Sequence, residues 1–184
     1  RGYDANALMQ RITRHAAQNV QLDHLMQALV AEFRDALGVN DVRLLAVEDY
    51  AVGVLSVQFS TDPREVGESI CAEMRLIEHC THNDMPLALH ELRHQGGARG
   101  AELAQALEGL HACLVTPLRT TAGLIGFIAF GEKTSRDIYS QEDVKVLLTV
   151  AGPIATSIEN AGLYRKLEAM NLHMERVMMS MRGG

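Results

Sequence analysis

The sequence predicts an α+β fold, in which an antiparallel β-sheet is flanked by helices and followed by a long C-terminal helix. Two observations predict the sheet: apolar strand-like runs occur in two pairs, and a short turn-like segment separates the members of each pair. A third observation predicts the helices, since apolar residues recur at helical spacing before and after the paired runs. The length of 184 residues suits one domain with helical extensions.

The first part of the chain predicts a helix and a hairpin. The apolar stripe of this helix consists of Leu22, Met26, Leu29, Phe33 and Leu37. Gly38 follows as a C-terminal stop. Runs with strand character begin at Val42 and Ala51, and the turn-like pair Asp49 and Tyr50 separates them, so we expect a β-hairpin.

The middle segment predicts a second helix, a strand and a loop. Apolar residues at helical spacing indicate a helix within residues 65–82. The run PLALHEL from Pro86 predicts a short strand. The run HQGGARG from His94 lacks the spacing of a phosphate-binding loop, so we expect a mobile connection there, followed by a short helix over residues 101–110.

A second hairpin and the last helix complete the predicted domain. Residues 111–118 and 124–130 are strand-like and flank a polar turn. Ser140 has the side chain of a helix N-cap, and acidic residues follow it in the first turn, where the helix dipole favours negative charge. From Val144 to Ile158 the apolar stripe is broad, as in a helix that packs on a domain.

Beyond Ala161 and Gly162 the stripe narrows to alternating steps of four and three residues, the spacing of a coiled-coil seam. The predicted seam consists of Leu163, Leu167, Met170, Met174, Val177 and Met181. Leu8 and Ile12, one helical turn apart, indicate a further helix ahead of the domain. We therefore predict a homodimer formed through the terminal helices; a helix that lies on its own domain is the alternative.

Composition excludes some classes of partner. The formal net charge of −6 argues against nucleic acid and against an anionic membrane surface, because both require clustered cations. The sequence shows neither an apolar run of the ~18 to 20 residues that span a bilayer nor a signal peptide, so we expect a cytoplasmic protein without a membrane segment. Three cysteines without C-x-x-C spacing are expected to be reduced.

Four blocks of sequence follow one another between Val115 and Tyr164. They are Val-x-Pro-Leu, then Gly-Leu-Ile-Gly-Phe-Ile-Ala-Phe-Gly-x-Lys, then Tyr-Ser-x-Glu-Asp-Val, and last Ile-Glu-Asn-Ala-x-Leu-Tyr. Together they resemble the GAF domain family, and a looser resemblance extends back to about Leu22. The resemblance implies an antiparallel sheet with helices on both faces, one face joining a dimer and the other closing over a small-molecule pocket. We divide the chain into an N-terminal helical linker (1–19), a GAF domain (20–160) and a coiled-coil linker (161–184).

The last residues, 174–184, resemble the linker that leads into a PAS domain. A GAF domain followed by a PAS domain resembles the sensory half of bacterial histidine kinases and related signalling proteins. The resemblance implies a regulatory module, not itself an enzyme, that precedes PAS and output domains in the same chain. The alternatives are a sensor proper for a small molecule, haem or a redox metal, and the input domain of another output such as a nucleotide cyclase or a phosphatase.

Alternation places Cys113, Val115 and Pro117 on one face of a strand, and Ile125, Phe127 and Ala129 on one face of its neighbour. By resemblance to bilin-binding relatives, these faces line the pocket for an unknown small molecule. The implied pocket residues are Leu45, Met74, Ile77, Leu89, Cys113, Val115, Phe127 and Ala129. Because nearly all are apolar, we predict a small apolar cavity or none, and a filled core is the alternative.

The resemblance argues against the cofactors of the known subfamilies. Cyclic-nucleotide-binding members carry an N-K-F-D-E constellation, which this chain matches only at Lys133 and Asp143; we expect these two to form a structural ion pair, of small value if exposed. No cysteine precedes a histidine, so no bilin is expected. His79-Cys80-Thr81-His82 is the one run that suggests haem or metal, but histidine also suits a helix C-terminus, and we predict neither a cofactor nor a metal.

A catalytic function has no support in the sequence. It contains neither a nucleophile elbow nor an H-E-x-x-H motif, and no pair of carboxylates stands out from the solvated charges. Some GAF relatives reduce methionine sulfoxide, but that chemistry needs paired cysteines, and the spacing here pairs none.

Overall fold

The computed structural model of the chain describes residues 2–19 and 21–183, without the side chain of Tyr164. Val20, where the predicted domain begins, lies outside the described residues, as do Arg1 and Gly184. The helices are α1 (Ala5–Gln18), α2 (Leu22–Leu37), α3 (Met74–His82), α4 (Leu89–Gln95), α5 (Gly97–Gly109) and α6 (Gln141–Arg182). The strands are β1 (Val42–Asp49), β2 (Val54–Ser60), β3 (Ser69–Cys71), β4 (Leu87–Ala88), β5 (Leu114–Thr120) and β6 (Gly123–Phe130).

The strands form one antiparallel sheet in the order β3-β2-β1-β6-β5-β4, with helices on both faces. The predicted α+β class and both predicted hairpins are confirmed. The first turn is longer than the sequence indicated: the Asp49 side chain accepts a hydrogen bond from the Ala51 amide, and the chain turns until Gly53. As a result β2 begins at Val54 and not at Ala51.

A β-bulge divides the apolar residues of β6 between the two faces of the sheet. Leu118 pairs with Gly126 and Arg119 pairs with Leu124, so Ile125 is an extra residue. Ile125 packs on one face, whereas Phe127 and Ala129 belong to the core on the other. The prediction that these three side chains share a face is therefore wrong for Ile125, because simple alternation cannot anticipate a bulge.

Each face of the sheet has its own apolar core. The terminal-helix layer, formed by α1, α2 and α6, covers a core that includes Phe33, Ile128 and Phe130. The middle-helix layer, formed by α3, α4 and α5, covers a core that includes Leu107 and Phe127. The sheet thus separates two helical layers, as the resemblance implies for a dimer surface on one face and a pocket on the other.

Helix α1 belongs to the terminal-helix layer and runs parallel to the first half of α6. Near its start, the Tyr3 hydroxyl donates to Asp143 Oδ1 over 2.7 Å, and near its end Ser157 Oγ donates to the Ala16 carbonyl over 2.7 Å. The predicted apolar pair Leu8 and Ile12 is fully buried. The chain then reverses into α2, which ends at Gly38 with a left-handed φ of 66°, as a glycine stop predicts.

Two segments of the middle part differ from the predicted structure. Within residues 65–82 the helix begins only at Met74, because Ile70 pairs with Leu55 and adds β3 to the edge of the sheet. The predicted strand in PLALHEL is limited to Leu87 and Ala88, after which α4 begins. In both places, pairing with an existing strand decides the structure, and periodicity cannot show it.

The glycine-rich run HQGGARG is helical, so the predicted mobile connection is wrong. It contains the end of α4 and the first turn of α5, which begins at Gly97 and not at Ala101. An added Cβ on Gly100 would lie 2.6 Å from the Leu92 carbonyl oxygen. The glycines therefore permit close contact between two helices.

Helix α6 begins with a capping box and continues without interruption past Gly162. Ser140 Oγ accepts from the Asp143 amide, and Asp143 Oδ2 accepts from the Ser140 amide over 2.8 Å. Within residues 2–19 and 21–183, α6 is the one helix long and apolar enough to cross a membrane by length and composition. Length and composition alone are weak evidence for a membrane span, because core helices of soluble proteins pass the same test; 39% of the most apolar window of α6 is buried.

Candidate functional site

Most of the residues assigned to the pocket lie together on the face covered by the middle-helix layer. They are Leu45, Ile77, Leu89, Val115, Phe127 and Ala129. Except for Leu89, which is half-buried, these side chains are buried against others from α3 and α5. Leu76 and Leu107, which the sequence did not assign to the pocket, fill the space between them. Their packing is that of a filled apolar core.

The other two residues assigned to the pocket lie elsewhere. Met74 is half-buried at the start of α3, beside Gly53 in the first hairpin turn. Cys113 packs against the core on the opposite face, because it precedes β5 and does not follow the alternation of that strand. Its assignment to the same face as Val115 is therefore wrong.

Cys113 instead lines a polar cleft of about 180 Å³ beside α4 and the segment that leads to α6. Two cations of this cleft have partners: Arg93 pairs with Glu108 over 2.7 Å, and Lys133 pairs with Asp143. The third, Arg136, is exposed, and among the described residues no carboxylate lies within ion-pair distance of it. Burial raises the pKa of the Cys113 thiol, and the nearby Glu132 carboxylate adds to the effect. The cleft thus presents a protonated thiol, two paired cations and the exposed guanidinium of Arg136.

The Asp143 carboxylate lies at the junction of three parts of the chain. Lys133 Nζ donates to Oδ2 over 2.7 Å, within the range that the sequence predicts for an ion pair. The Ser140 amide donates to the same oxygen, and Tyr3 donates to the other. Since 13% of the Lys133 side chain and 2% of the Asp143 side chain are exposed, the small value expected of an exposed pair does not apply.

Burial alone would raise the pKa of Asp143, but the hydrogen bonds from Lys133, Ser140 and Tyr3 outweigh it and hold the pKa below its ordinary value. The Lys133 ammonium also lies 5.1 Å from the centre of the Tyr139 ring. Tyr139 in turn donates to the Gly131 carbonyl over 2.6 Å. The residues that partly match the N-K-F-D-E constellation therefore fix the start of α6 to the end of the sheet.

The predicted seam residues lie on the part of α6 that extends beyond the domain. Exposure of these side chains ranges from 44% at Val177 to 77% at Met181; the set is Leu163, Leu167, Met170, Met174, Val177 and Met181. At about 100° per residue, they lie on roughly the opposite side of α6 from the stripe that packs into the domain. The seam is accordingly free of contacts with the domain core.

The family follows from a comparison with protein-family models. The model of the GAF domain matches residues 21–160, which is most of the chain. The chain belongs to the GAF family. GAF domains are regulatory and sensory domains of signalling proteins. Among curated proteins, no sequence matches significantly.

Solved structures share the fold of this GAF domain. The GAF domain of a phosphoenolpyruvate-protein phosphotransferase (ptsP) from Coxiella burnetii is 17% identical with a TM-score of 0.65, over 88% of this chain and 96% of that one. The GAF domain of a two-component sensor histidine kinase from Bacillus halodurans is 19% identical with a TM-score of 0.54, over 79% of this chain and 99% of that one. A phycoerythrobilin-bound GAF domain from a cyanobacterial phytochrome is 14% identical with a TM-score of 0.60, over 90% of this chain and 100% of that one. At sequence identities this low, the similarity to these structures shows a shared fold alone.

The His90 and His94 rings lie together, with their centres 4.2 Å apart, but the run that suggested haem or metal does not gather its side chains. In the run from His79 to His82, Cys80 points into the core while His82 is exposed. Burial raises the pKa of Cys80 to about 12, which keeps its thiol protonated. Within the part of the chain that the structure describes, no three histidine, cysteine, aspartate or glutamate side chains form a group that could hold a metal ion.

The sequence interpretation did not anticipate the contacts of two polar residues, the half-buried Tyr3 and the buried Arg43. Tyr3 reaches Asp143 from 140 residues away, a separation at which no local pattern indicates a contact. Arg43 is buried within β1 and donates to the Leu110 carbonyl, so a cation satisfies the C-terminal end of α5. In the sequence, the only indication of this contact is that a charged residue, Arg43, lies within an otherwise apolar strand.

Proposed function

We propose that this GAF domain is the sensory or regulatory module of a cytoplasmic signal-transduction protein, a sensor histidine kinase, and that it transmits its signal through dimeric coiled-coil helices. The observation that carries the proposal is the division of α6. Its first half is a core element of the domain, with Leu147 and Ile154 buried, and its second half bears the exposed seam.

The course of the chain supports transmission through the domain. Because α1 and α6 run parallel, a helix that arrives from upstream and the helix that leaves have the same direction. The Asp143 junction joins the beginnings of both helices to the end of β6 through Lys133. A change in the packing of the sheet can therefore reach α1 and α6 together.

The seam is suited to a parallel pair of helices. Six apolar residues at heptad spacing form a stripe that water contacts in the single chain, and pairing with the same stripe of a second copy would bury it. The partner of this proposal is a second copy of the chain, and PAS and output domains follow in the same polypeptide. If the output domain is instead a nucleotide cyclase or a phosphatase, it would receive the signal through the same paired helices.

Sedimentation of paired variants tests the seam. Leu167→Glu combined with Met174→Glu places two charges in the seam, and we expect it to convert a dimer to a monomer while the far-ultraviolet circular dichroism of the domain is unchanged. The matched control is Leu172→Glu combined with Met179→Glu. These residues are as exposed and equally spaced, but lie on roughly the opposite side of α6.

The control should remain dimeric. A wild-type chain that sediments as a monomer at high concentration would exclude the dimeric part of the proposal. Equal dissociation of both double variants would show that the seam has no special role.

A further inference from the structure

A groove lies on the terminal-helix side of the sheet, where α6 leaves the domain. Its volume of about 330 Å³ falls at the lower end of the range typical of small-molecule sites. The floor consists of Leu44, Ala46, Leu118, Ile125 and Gly126. Because Ala46 and Gly126 have little or no side chain, the sheet surface is recessed below α6 at this point.

The groove is distinct from the pocket that the sequence predicts. That pocket belongs to the face covered by the middle-helix layer, where large apolar side chains occupy the space. The groove lies on the opposite face, and the β-bulge at Ile125 contributes to its floor. Its far wall is the segment of α6 from Ile158 to Lys166.

The rim of the groove carries two carboxylates, of Glu48 and Glu159, and two cations, Arg165 and Lys166. Both carboxylates already accept hydrogen bonds: Glu159 from the Thr120 hydroxyl over 2.7 Å, and Glu48 from the Ser56 hydroxyl. Arg165 and Lys166 are exposed, and among the described residues neither has a carboxylate within ion-pair distance. The groove thus combines an apolar floor with two cations that have no ion-pair partner among those residues.

We propose that this groove binds a small amphipathic anion, with an apolar chain along Ala46, Gly126 and Ile125 and an anionic head at Arg165 and Lys166. Burial of the chain supplies affinity, and the charged head supplies orientation. A bound ligand contacts both the sheet and α6, so it holds the exit segment of α6 against the domain. Ligand binding at this groove does not depend on the proposed function, whereas an influence of the ligand on signalling rests on it.

Calorimetric titration of the full chain with decanoate tests the binding site, with 1-decanol as the uncharged probe of equal chain length. We expect decanoate to bind more tightly than decanol. Arg165→Gln combined with Lys166→Gln should weaken decanoate binding about tenfold or more, the effect of losing a charge-assisted contact, and leave decanol unaffected. The control, Arg176→Gln with Arg182→Gln, removes the same charge from exposed positions outside the groove and should change neither.

A filling variant tests the location. No heavy atom lies within 4 Å of a Cβ added to Gly162, so a side chain can be placed there without a clash at its base. Gly162→Phe should occupy the groove and abolish decanoate binding, whereas Gly162→Ala should retain it. In amide spectra of the wild-type chain, decanoate should shift the signals of Gly126 and Gly162 and leave that of Gly109 in place.

Equal affinities for decanoate and decanol, equal weakening in both charge variants, or binding that survives Gly162→Phe would each overturn the proposal. Absence of decanoate binding to the wild-type chain would do the same. The Leu167→Glu and Met174→Glu chain separates this proposal from the dimer, because a monomer with an intact groove should still bind decanoate.

Discussion

Asp143 is a buried carboxylate that joins three separate parts of the chain. Its two carboxylate oxygens accept from Tyr3, Lys133 and Ser140, which belong to the start of the chain, the end of the sheet and the helix cap. A buried carboxylate is costly unless it is fully hydrogen-bonded, and here the hydrogen bonds outweigh that cost. The residue should therefore contribute to stability more than an exposed ion pair would.

Replacement of this carboxylate should lower the free energy of unfolding. We expect Asp143→Asn to cost about 2 to 4 kcal/mol at pH 7, because it leaves Lys133 largely buried without its counter-charge and weakens the helix cap. Urea unfolding measures the change. The exposed Asp35 provides the control: Asp35→Asn should alter the free energy of unfolding by less than about 0.5 kcal/mol. Equal effects of the two substitutions would contradict this role of Asp143.

The effect of Asp143→Asn should also depend on pH. The folded-state pKa of Asp143 lies below its unfolded value, so the carboxylate stabilises the folded domain above about pH 3.9. This contribution is lost as the pH falls through the lower, folded-state pKa. The difference between wild type and variant should thus be constant from about pH 7 to 5 and shrink below about pH 4.

The sequence showed part of this junction, for physical reasons. The Ser140 cap can be predicted because it joins residues only three positions apart. The Lys133–Asp143 pair can be predicted because these residues lie at the two ends of the short connection between β6 and α6. Tyr3 belongs to another part of the chain, and its contact depends on how α1 packs. Local chemistry is visible in a sequence, whereas contacts created by packing are not.

At the scale of the elements, strong local signals were sufficient and weak ones were not. Both hairpins and the start of α6 follow from alternation, turns and capping. The short strand β3 and the helical glycine run do not, because sheet pairing and helix contact decide them. The same limit applies to the pocket, since the β-bulge at Ile125 changes which side chains share a face.

The contact between α4 and α5 should be sensitive to one methyl group. We expect Gly100→Ala to lower the free energy of unfolding by about 1 to 3 kcal/mol, because the added Cβ would lie 2.6 Å from the Leu92 carbonyl oxygen. Gly109→Ala in the same helix is the matched control, since nothing lies within 4 Å of its Cβ, and it should be neutral or stabilising. Chemical unfolding compares the two. A neutral Gly100→Ala would mean that the helices separate easily.

At the scale of the whole molecule, the domain and its exposed helical extension should be separable. The apolar cores end with Ala161, and residues 167–182 are exposed. A chain shortened to residues 1–166 should therefore keep the fold and the cooperative unfolding of the domain, while losing the proposed dimer contact.

Thermal unfolding at several protein concentrations checks this separation. The melting temperature of the full chain should rise with concentration, because association stabilises the folded state, and that of the shortened chain should not. The full-length Leu172→Glu and Met179→Glu chain should behave like the wild type. A melting temperature of the full chain that does not change with protein concentration would argue against association under these conditions.

The parallel course of α1 and α6 also determines how the domain responds to mechanical tension. The chain enters beside the first turn of α6 and leaves at the far end of that helix, so opposite pulls on the two ends slide the helices along each other. The contacts between α1 and α6, from Tyr3 to Ser157, then bear the force together and do not break one after another. A domain of this design resists stretching along the common direction of α1 and α6.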